Sequence, residues 1–410
     1  MKRDLDRLMA ERTLDAAVVM GSTFDSPTLY YLTGGANFEG ATIVLRPGQR
    51  PLLVHSPLEL DEAPRTGMET AVSSRWNIVE IIRQKDGDLL AAKAEQLRRI
   101  LADYGVRGRV GFYGHGEIGQ AHALLSALER VLPDTQVVVE FDNDLFSTAR
   151  STKDEQEIRL MWDVAERANQ VVAAVADMLS ERPVAGGHLL APGGEPLTVR
   201  HVKQFIADQC VERGLEQPHG VIFALGPDAA VGHNDGNPDD VLALGVPIVF
   251  DFFPRLAGGG YFHDMTRTWC LGYAPAEVEQ AYQQVHGAFD RVMAELAVGR
   301  RTAEYQVMTC EYYQSLGHPT ILSDPTTEVG YVHGLGHGLG LEVHEAPSFR
   351  AVEGNTTTLL PGTVFTVEPG LYYRERGYGV RIEDVVYCDE SGVFHNMTPF
   401  RKDLVLPVKQ

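Results

Sequence analysis

The spacing of apolar residues changes near residue 150, and this change limits the folds open to the chain. Before it, short β-branched segments alternate with helical segments whose apolar residues recur every three or four positions. The strand-like segments are residues 15–20, 40–46, 51–56, 109–114 and 135–141, and the helical segments are residues 89–105 and 119–133. This alternation predicts an α/β layer domain over residues 1–150.

A second domain is predicted over residues 151–410. Thr152 and Glu155 fit a T-x-x-E capping box, and Ile158, Met161 and Trp162 begin the apolar face of the long helix that follows. Further along, helical patterns at 199–214, 277–296 and 303–317 are interleaved with strand patterns at 247–253, 261–269, 363–370 and 380–388. Paired strands mixed with helices in this way predict an α+β domain built on a curved antiparallel sheet.

Net charge, cysteine usage and the absence of long apolar runs indicate which partners and which location to expect. The 410 residues carry a formal net charge of −20, which disfavours nucleic acid and anionic membrane surfaces. The four cysteines form no CxxC pair, so we expect reduced thiols. The first residues, "MKRDLDRLMAERTLD", lack the apolar core of a signal peptide, and no apolar run reaches spanning length. We therefore expect a cytoplasmic protein.

Two aspartates flank a predicted hairpin in "VPIVFDFFPRLAGGGYFHDMTRTW". If the turn centres on Ala257 and Gly258, Asp251 pairs directly with Asp264 on one face of the sheet. Two like charges at that separation are unfavourable unless a cation or a proton lies between them. A different turn could direct the two side chains to opposite faces, and this alternative stays open.

Two glutamates lie in segments that otherwise have core composition. Glu368 follows "VFTV" and Glu383 lies in "GVRIEDVVYC", and the connection between them allows a second antiparallel pair. A buried glutamate is costly unless it is paired or bound to a metal. Arg381 shares a face with Glu383 by the two-residue period, so a structural salt bridge is the alternative for that glutamate.

Three histidines lie within "VHGLGHGLGLEVHE" at His333, His337 and His344. Four carboxylates and an imidazole are too many ligands for one tetrahedral ion but suit two ions bridged by carboxylates. Such a ligand set suits manganese, cobalt or zinc. Two such ions can bridge a hydroxide, lower its pKa and hold the carbonyl that it attacks. The residues therefore predict a dinuclear metallohydrolase.

The motifs "VFDFF…HDMTRT", "HGLGHGLGLEVHE", "TVEPG" and "VRIEDVV", in this order, resemble those of the pita-bread metallopeptidases. Within that family the chain is similar to the branch of Xaa-Pro dipeptidases (prolidases) and aminopeptidases P, including a creatinase-like N-terminal domain. The resemblance implies five metal ligands: Asp251, Asp264, His337, Glu368 and Glu383. It also implies that Asp264 and Glu383 bridge the two ions and that Glu368 shuttles a proton.

The resemblance further implies a set of residues around the substrate. His344 is expected near the substrate carbonyl, and His333 and His233, the latter in "AVGHNDGN", are expected to line the site in catalytic and substrate-binding roles. Arg381 is a further candidate for substrate binding. Prolidases often carry "HEAPR", whose arginine holds the dipeptide carboxylate, but this chain has "HEAPSF", with Ser348 in that place. Arg350 is the candidate replacement.

The predicted function is hydrolysis of Xaa-Pro bonds in dipeptides or short peptides by a metal-bridging hydroxide, with two divalent ions and manganese favoured. We expect a homodimer. The nearest alternative is aminopeptidase P-like removal of the first residue from longer peptides. Creatinase-like C–N hydrolysis and a non-catalytic binding module are further alternatives, but both predict substituted metal ligands, and all five are present.

Overall fold

The chain forms two compact units, of which the first ends at Arg150 and the second begins at Ser151. They are taken from a computed structural model that describes residues 4–409. The outermost limits predicted for the two domains, residues 1 and 410, lie outside the described residues.

The first unit is built on a six-stranded mixed sheet with the strand order β4-β3-β2-β1-β5-β6. Its strands are β1 Ala16–Gly21, β2 Ala41–Leu45, β3 Leu52–His55, β4 Glu69–Val72, β5 Gly108–Gly114 and β6 Thr135–Val138. Its helices are α1 Leu5–Glu11, α2 Pro27–Thr33, α3 Ile78–Gln84, α4 Leu89–Asp103, α5 Ile118–Val131 and α6 Leu145–Arg150. The five strands and two helices predicted for this unit are confirmed, whereas β4 was not predicted.

Burial explains the composition of β1, the strand between β2 and β5. Ala16, Ala17, Val18 and Val19 are consecutive and all buried, so both faces of the strand are covered. A strand covered on both faces is expected to be a continuous apolar run rather than an alternating one.

The second unit contains four α-helices and fifteen strands among the described residues. The helices are α7 Glu155–Glu181, α8 Val199–Glu212, α9 Ala276–Glu295 and α10 Thr302–Ser315. The strands before residue 300 are β7 Val184–Ala185, β8 His188–Leu189, β9 Leu215–Glu216, β10 Ile222–Leu225, β11 Pro247–Phe252, β12 Arg255–Leu256 and β13 Met265–Leu271. The later strands are β14 His337–Gly338, β15 Glu345–Ser348, β16 Val364–Val367, β17 Gly370–Tyr373, β18 Tyr378–Arg381, β19 Asp384–Cys388, β20 Phe394–Asn396 and β21 Val405–Leu406.

Two larger sheets organise this unit. One has the order β10-β11-β13-β21 and the other the order β15-β14-β16-β19-β20, with β17 and β18 as a separate pair. Pairing is antiparallel throughout both larger sheets except between β13 and β21. An isolated antiparallel bridge between Thr266 and Glu383 links β13 to the short connection between β18 and β19.

The predicted capping box at the start of α7 is wrong by two residues. The N-cap is Asp154, whose side chain accepts from the backbone N–H groups of Gln156 and Glu157, and Glu157 closes the box. Thr152 instead forms an antiparallel bridge with Thr363, so it belongs to an extended segment. Trp162 was expected on the apolar face of α7 but is 37% exposed.

The predicted pairing of Asp251 with Asp264 is also wrong in register. Asp251 lies opposite Thr266, and the bridge between Arg255 and Phe262 continues the same alignment toward the turn. The turn therefore centres one residue later than predicted, at Gly258 and Gly259, whose φ angles of 93° and 108° favour glycine. The register shift is two residues, and a two-residue shift keeps both aspartates on one face.

The predicted pairing around the two glutamates is confirmed. Val367 lies opposite Asp384, and Gly370 lies opposite Arg381, so both pairs share one antiparallel register. Glu368 and Glu383 lie between these pairs and face each other. Directly opposed residues project to the same face of a sheet.

All four cysteines are free and buried. Within residues 4–409, no helix is both long enough and apolar enough to cross a membrane.

Candidate metal centre

Carboxylates from separate strands converge on the imidazole of His337. Its Nε2 atom lies 3.5 Å from Glu368 Oε1, 3.7 Å from Asp264 Oδ2 and 3.9 Å from Glu383 Oε1. Asp264, His337 and Glu383 each offer a ligand atom, and these atoms all lie within 4.8 Å of one another. Residues up to 119 positions apart in the sequence, from Asp264 to Glu383, thus form one group.

The backbone fixes which nitrogen of His337 faces this group. His337 Nδ1 lies 3.1 Å from the carbonyl oxygen of Gly338 and can donate to it. The backbone N–H of His337 donates to Thr366 Oγ1 at 3.1 Å. With the proton on Nδ1, the lone pair of Nε2 is directed at the carboxylates, which is the tautomer that a metal ligand requires.

The glycines beside His337 are required by close backbone contacts. A Cβ atom on Gly336 would lie 2.0 Å from the carbonyl oxygen of Thr366, and one on Gly338 would lie 1.9 Å from that of Ala346. A side chain at either position would push the loop away from its neighbouring strand. The repeated glycines of the histidine motif therefore let the loop pack closely enough to place His337 among the carboxylates.

Three of the proposed ligands keep a buried oxygen without a hydrogen-bond partner among the described residues. These atoms are Asp251 Oδ1, Asp264 Oδ1 and Glu383 Oε1. A buried carboxylate oxygen with no partner is costly, and a cation removes the cost by direct coordination. The donor set of carboxylate oxygens with one imidazole nitrogen therefore fits divalent metal ions.

The electrostatics of the group lead to the same conclusion. Burial, followed by the charges of neighbouring carboxylates, raises the pKa of Asp264 and of Glu368 well above their usual values. Burial and Asp251 raise the pKa of Glu383 to about 8. Burial lowers the pKa of His337 to about 3, so the imidazole is neutral at pH 7. Carboxylates this close require protons or cations to coexist.

Arg381 does not form a direct ion pair with Glu383. Its guanidinium donates to Asp251 Oδ2 at 2.7 Å, to the Tyr372 hydroxyl at 2.8 Å and to Thr266 Oγ1 at 3.0 Å. Glu383 instead accepts from Thr266 Oγ1 at 2.7 Å. Every nitrogen of the buried Arg381 guanidinium is thus engaged within the protein, which favours a role in orienting Asp251 and Tyr372 over direct substrate binding.

The other predicted histidines lie around the group. The ring of His344 is 4.4 Å from that of His337, and its side chain is exposed. His333 contacts the Tyr372 hydroxyl through Nε2 at 2.9 Å and lies 3.8 Å from Glu368 Oε2 through Nδ1. His233 is exposed. Burial, followed by the charges of Arg381 and His233, lowers the pKa of His333, and burial followed by His233 lowers the pKa of His344. The structure therefore brings all three to the site.

Ser348 lies directly opposite His337 in the pairing of β14 with β15. A side chain at position 348 is consequently a cross-strand neighbour of a proposed metal ligand. Arg350 is exposed and lies beyond the end of β15. Its backbone is held by Ser348 Oγ and by the side chain of Asn355.

Thr266 and Tyr372 were missed by the sequence analysis. Thr266 lies opposite Asp251 and two residues after Asp264, so the correct hairpin register would have predicted it. Tyr372 lies four residues after Glu368 and bonds to both Arg381 and His333. Its signal was the two-residue period continued along the strand from Glu368.

Comparison with known proteins assigns both units. Residues 159–390, more than half of the chain, match metallopeptidase family M24, and residues 2–177 match the creatinase/prolidase N-terminal domain. The chain is 30% identical over 265 residues to a probable dipeptidase PepE of Mycobacterium tuberculosis, covering 65% of this chain and 63% of that protein. The chain thus spans less than two thirds of this relative.

Two further relatives extend over nearly the whole chain. An Xaa-Pro dipeptidase of Pyrococcus horikoshii is 24% identical over 389 residues, which are 94% of this chain and 93% of that protein. The solved structure of an Xaa-Pro dipeptidase from Bacillus anthracis superimposes with a TM-score of 0.75 at 21% identity, covering 98% of each chain.

A carboxylate-rich site on paired antiparallel strands, preceded by a creatinase-like α/β unit, defines a class of metal-dependent peptidases. The chain belongs to metallopeptidase family M24. The predicted family is confirmed. So is the predicted fold, a creatinase-like α/β domain followed by a pita-bread domain with a curved antiparallel sheet.

Proposed function

We propose that the protein is a dinuclear metal-dependent exopeptidase that hydrolyses Xaa-Pro bonds in dipeptides or short peptides. The observation that carries the proposal is the set of unpartnered, buried oxygens of Asp251, Asp264 and Glu383 beside a neutral His337. The names of the relatives from P. horikoshii and B. anthracis support the choice of substrate.

The five proposed ligands would hold two ions: Asp251, Asp264, His337, Glu368 and Glu383. Two bound divalent ions would supply Lewis acidity toward the scissile carbonyl and would acidify the attacking water. Glu368 would then take the proton of that water and pass it to the proline nitrogen, because burial raises the pKa of its carboxyl group and so favours proton uptake.

The histidines around the group would act on the substrate. His344, exposed and adjacent to His337, would donate to the carbonyl oxygen as negative charge develops there. His333 would line the site in an orientation fixed by Tyr372. His233 would approach the substrate from the solvent-exposed side of the site.

Proline as the second residue of the substrate is consistent with the chemistry of the bond to be cleaved. The Xaa-Pro bond is a tertiary amide without an N–H group. A site that never requires this N–H accepts such a bond where most peptidases do not.

Removal of the first residue from longer peptides is the second candidate function. Ser348 favours it, because an arginine at this position would hold the carboxylate of a dipeptide and block a longer chain. The same proposal has four further parts. The metal is manganese, the protein is a homodimer, its location is the cytoplasm, and residues 1–150 and 151–410 are separate domains.

The test is a hydrolysis assay on purified protein after chelation and repletion with manganese, cobalt or zinc. Ala-Pro and Ala-Pro-Ala are the substrates, and Ala-Ala is the control without proline. We expect metal to restore cleavage of the proline peptides, most strongly with manganese, and to leave Ala-Ala a poor substrate. Failure to cleave either proline peptide with any of the three metals would refute the proposal.

A further inference from the structure

A buried amide on α10 contacts every second residue of the chain that leads into the histidine motif. Gln306 is 1% exposed and lies in the first half of the helix. Its Oε1 atom accepts from the Tyr331 hydroxyl at 3.2 Å and from the backbone N–H of Leu335. Its Nε2 atom donates to the carbonyl oxygen of His333 at 3.2 Å. One side chain thus bonds to three alternate residues, and it was not predicted as a site residue.

Leu335 connects this amide to a proposed metal ligand. Its backbone N–H donates to Gln306, and its carbonyl oxygen accepts from the backbone N–H of Glu368 at 2.8 Å. His337, whose Nε2 atom lies 3.5 Å from Glu368 Oε1, follows two residues later. The backbone before His337 is therefore held between α10 on one side and the Glu368 strand segment on the other.

The imidazole of His333 depends on the same amide in two ways. Gln306 holds the carbonyl oxygen of His333, and it also holds the hydroxyl of Tyr331. The buried ring of Tyr331 packs edge-on against the ring of His333, with centroids 5.4 Å apart. On the other side, Tyr372 contacts His333 Nε2 at 2.9 Å. Gln306 therefore acts on both the backbone and the ring orientation of His333.

A second residue of α10 holds the far end of the histidine segment, residues 333–348. Thr302 lies one helical turn before Gln306, and its buried hydroxyl donates to the carbonyl oxygen of Ser348 at 2.7 Å. The histidine segment contains four glycines, which give its backbone little stiffness of its own. Both ends of the segment thus take their position from one rigid helix.

We propose that Gln306 is a positioning residue for peptide hydrolysis, which sets the place of the histidine segment relative to Glu368 through the backbone of His333 and Leu335. Thr302 supports the same segment at Ser348. This inference rests on the proposed function and adds to it a residue that acts only through other residues. A misplacement of reacting groups by about 1 Å can cost on the order of 10² in rate, so the loss of this amide should slow turnover.

The experiment compares Gln306→Met with Thr309→Val. Methionine has nearly the volume of glutamine but no amide, so all three bonds from position 306 to residues 331–335 are lost. Thr309 is a buried residue of the same helix, and its hydroxyl donates to the carbonyl oxygen of Tyr305 at 2.9 Å. Thr309→Val is the matched control, because it removes a buried hydrogen bond of α10 that does not involve the histidine segment. Thr302→Val, which preserves side-chain volume, is the further variant.

Two readouts separate positioning from stability. The first is backbone hydrogen–deuterium exchange of residues 331–338, measured by mass spectrometry on metal-free protein, because exchange reports local opening. The second is kcat and KM on Ala-Pro with manganese, with kcat divided by the metal content.

Gln306→Met should accelerate exchange in residues 331–338, because the N–H of Leu335 loses its acceptor. It should also lower kcat on the order of 10², with a much smaller change in KM. Thr309→Val should match the wild type in exchange and in kcat. Thr302→Val should lower kcat less than Gln306→Met does, because the side chain of Asn355 also donates to the Ser348 carbonyl oxygen, at 3.1 Å.

Wild-type exchange or wild-type kcat per bound metal in Gln306→Met overturns this inference. An equal loss of kcat in Thr309→Val also overturns it, because the loss would then follow from a weakened helix. If Gln306→Met does not fold, wild-type kcat in Thr302→Val overturns the inference in its place. Absence of cleavage by the wild type overturns the proposed function instead. The exchange measurement distinguishes the two failures, because it requires neither metal nor substrate.

Discussion

At His337, burial and backbone hydrogen bonds act on the imidazole in opposite directions. Burial and the adjacent His344 disfavour the protonated ring, whereas hydrogen bonds to the backbone of Gly338 and Val343 favour it, and the balance lowers the pKa to about 3. The neutral ring keeps a lone pair on Nε2, directed at Glu368, Asp264 and Glu383. Its neighbour His344 is exposed and lies in ring contact with it, so the two histidines differ in role.

Replacing His344 with alanine should slow turnover while leaving the metal bound. One positioned donor to the substrate carbonyl is worth a factor on the order of 10² in kcat. The measurement is kcat on Ala-Pro together with the metal content of the same preparation. A loss of metal as large as that caused by His337→Ala would make His344 a ligand and contradict its assigned role.

At the scale of elements, the loop between β14 and β15 carries His344 and is closed by a buried ion pair. Lys153 Nζ lies 2.6 Å from Glu345 Oε1, and the two side chains are 1% and 3% exposed. Lys153 immediately precedes Asp154, the N-cap of α7. The pair therefore ties the residue after His344 to the start of the longest described helix.

Lys153→Met should lower the free energy of unfolding by about 3–5 kcal/mol, because it removes one partner of a buried ion pair. The matched control is Arg159→Met, which breaks the exposed pair with Glu155 near the start of α7 and should cost less than about 1 kcal/mol. Both variants are compared by urea denaturation. Equal costs for the two would show that the buried pair contributes little.

The register of β14 and β15 also bears on substrate length. Because Ser348 lies opposite His337, an arginine there would project from the same face as the proposed ligand. Arg350 lies two residues further, about 6–7 Å along an extended chain. We expect the wild type to cleave Ala-Pro-Ala within about tenfold of Ala-Pro in kcat/KM, a difference of ~1.4 kcal/mol.

Ser348→Arg should move this preference toward the dipeptide by supplying a cation for its carboxylate. Ser348→Met is the control for side-chain length without charge. The paired assay on Ala-Pro and Ala-Pro-Ala measures both variants against the wild type. Undetectable cleavage of the tripeptide by the wild type would indicate that Arg350, or another cation, already binds the carboxylate.

At the scale of the whole molecule, periodicity and motif order predicted most of the architecture. Five of the six strands of the first unit, the helices α8 to α10 and the antiparallel pairing around Glu368 and Glu383 all followed from local patterns. The predicted partner of Asp251 was Asp264 instead of Thr266, because three consecutive glycines, 258–260, allow more than one turn centre. The cap of α7 was misplaced, because the bridge from Thr152 to Thr363 depends on residues far apart in sequence.

The residues of the site were predictable to different degrees. Carboxylates within apolar strands are conspicuous in the sequence, because burial makes them costly without a partner. Arg381 was considered as a partner of Glu383 and as a substrate-binding residue, whereas its bonds to Asp251, Thr266 and Tyr372 depend on the three-dimensional arrangement of separate strands.

The most direct test of the account is the metal content of the purified protein after manganese loading and removal of free metal. Elemental analysis of the wild type should give about two ions per chain, as two-metal hydrolases bind. His337→Ala and Glu383→Ala should each bind less metal and lose hydrolysis of Ala-Pro, whereas His122→Ala should match the wild type in both. Full activity and unchanged metal content in both site variants, after chelation and repletion, would contradict the assignment of the centre.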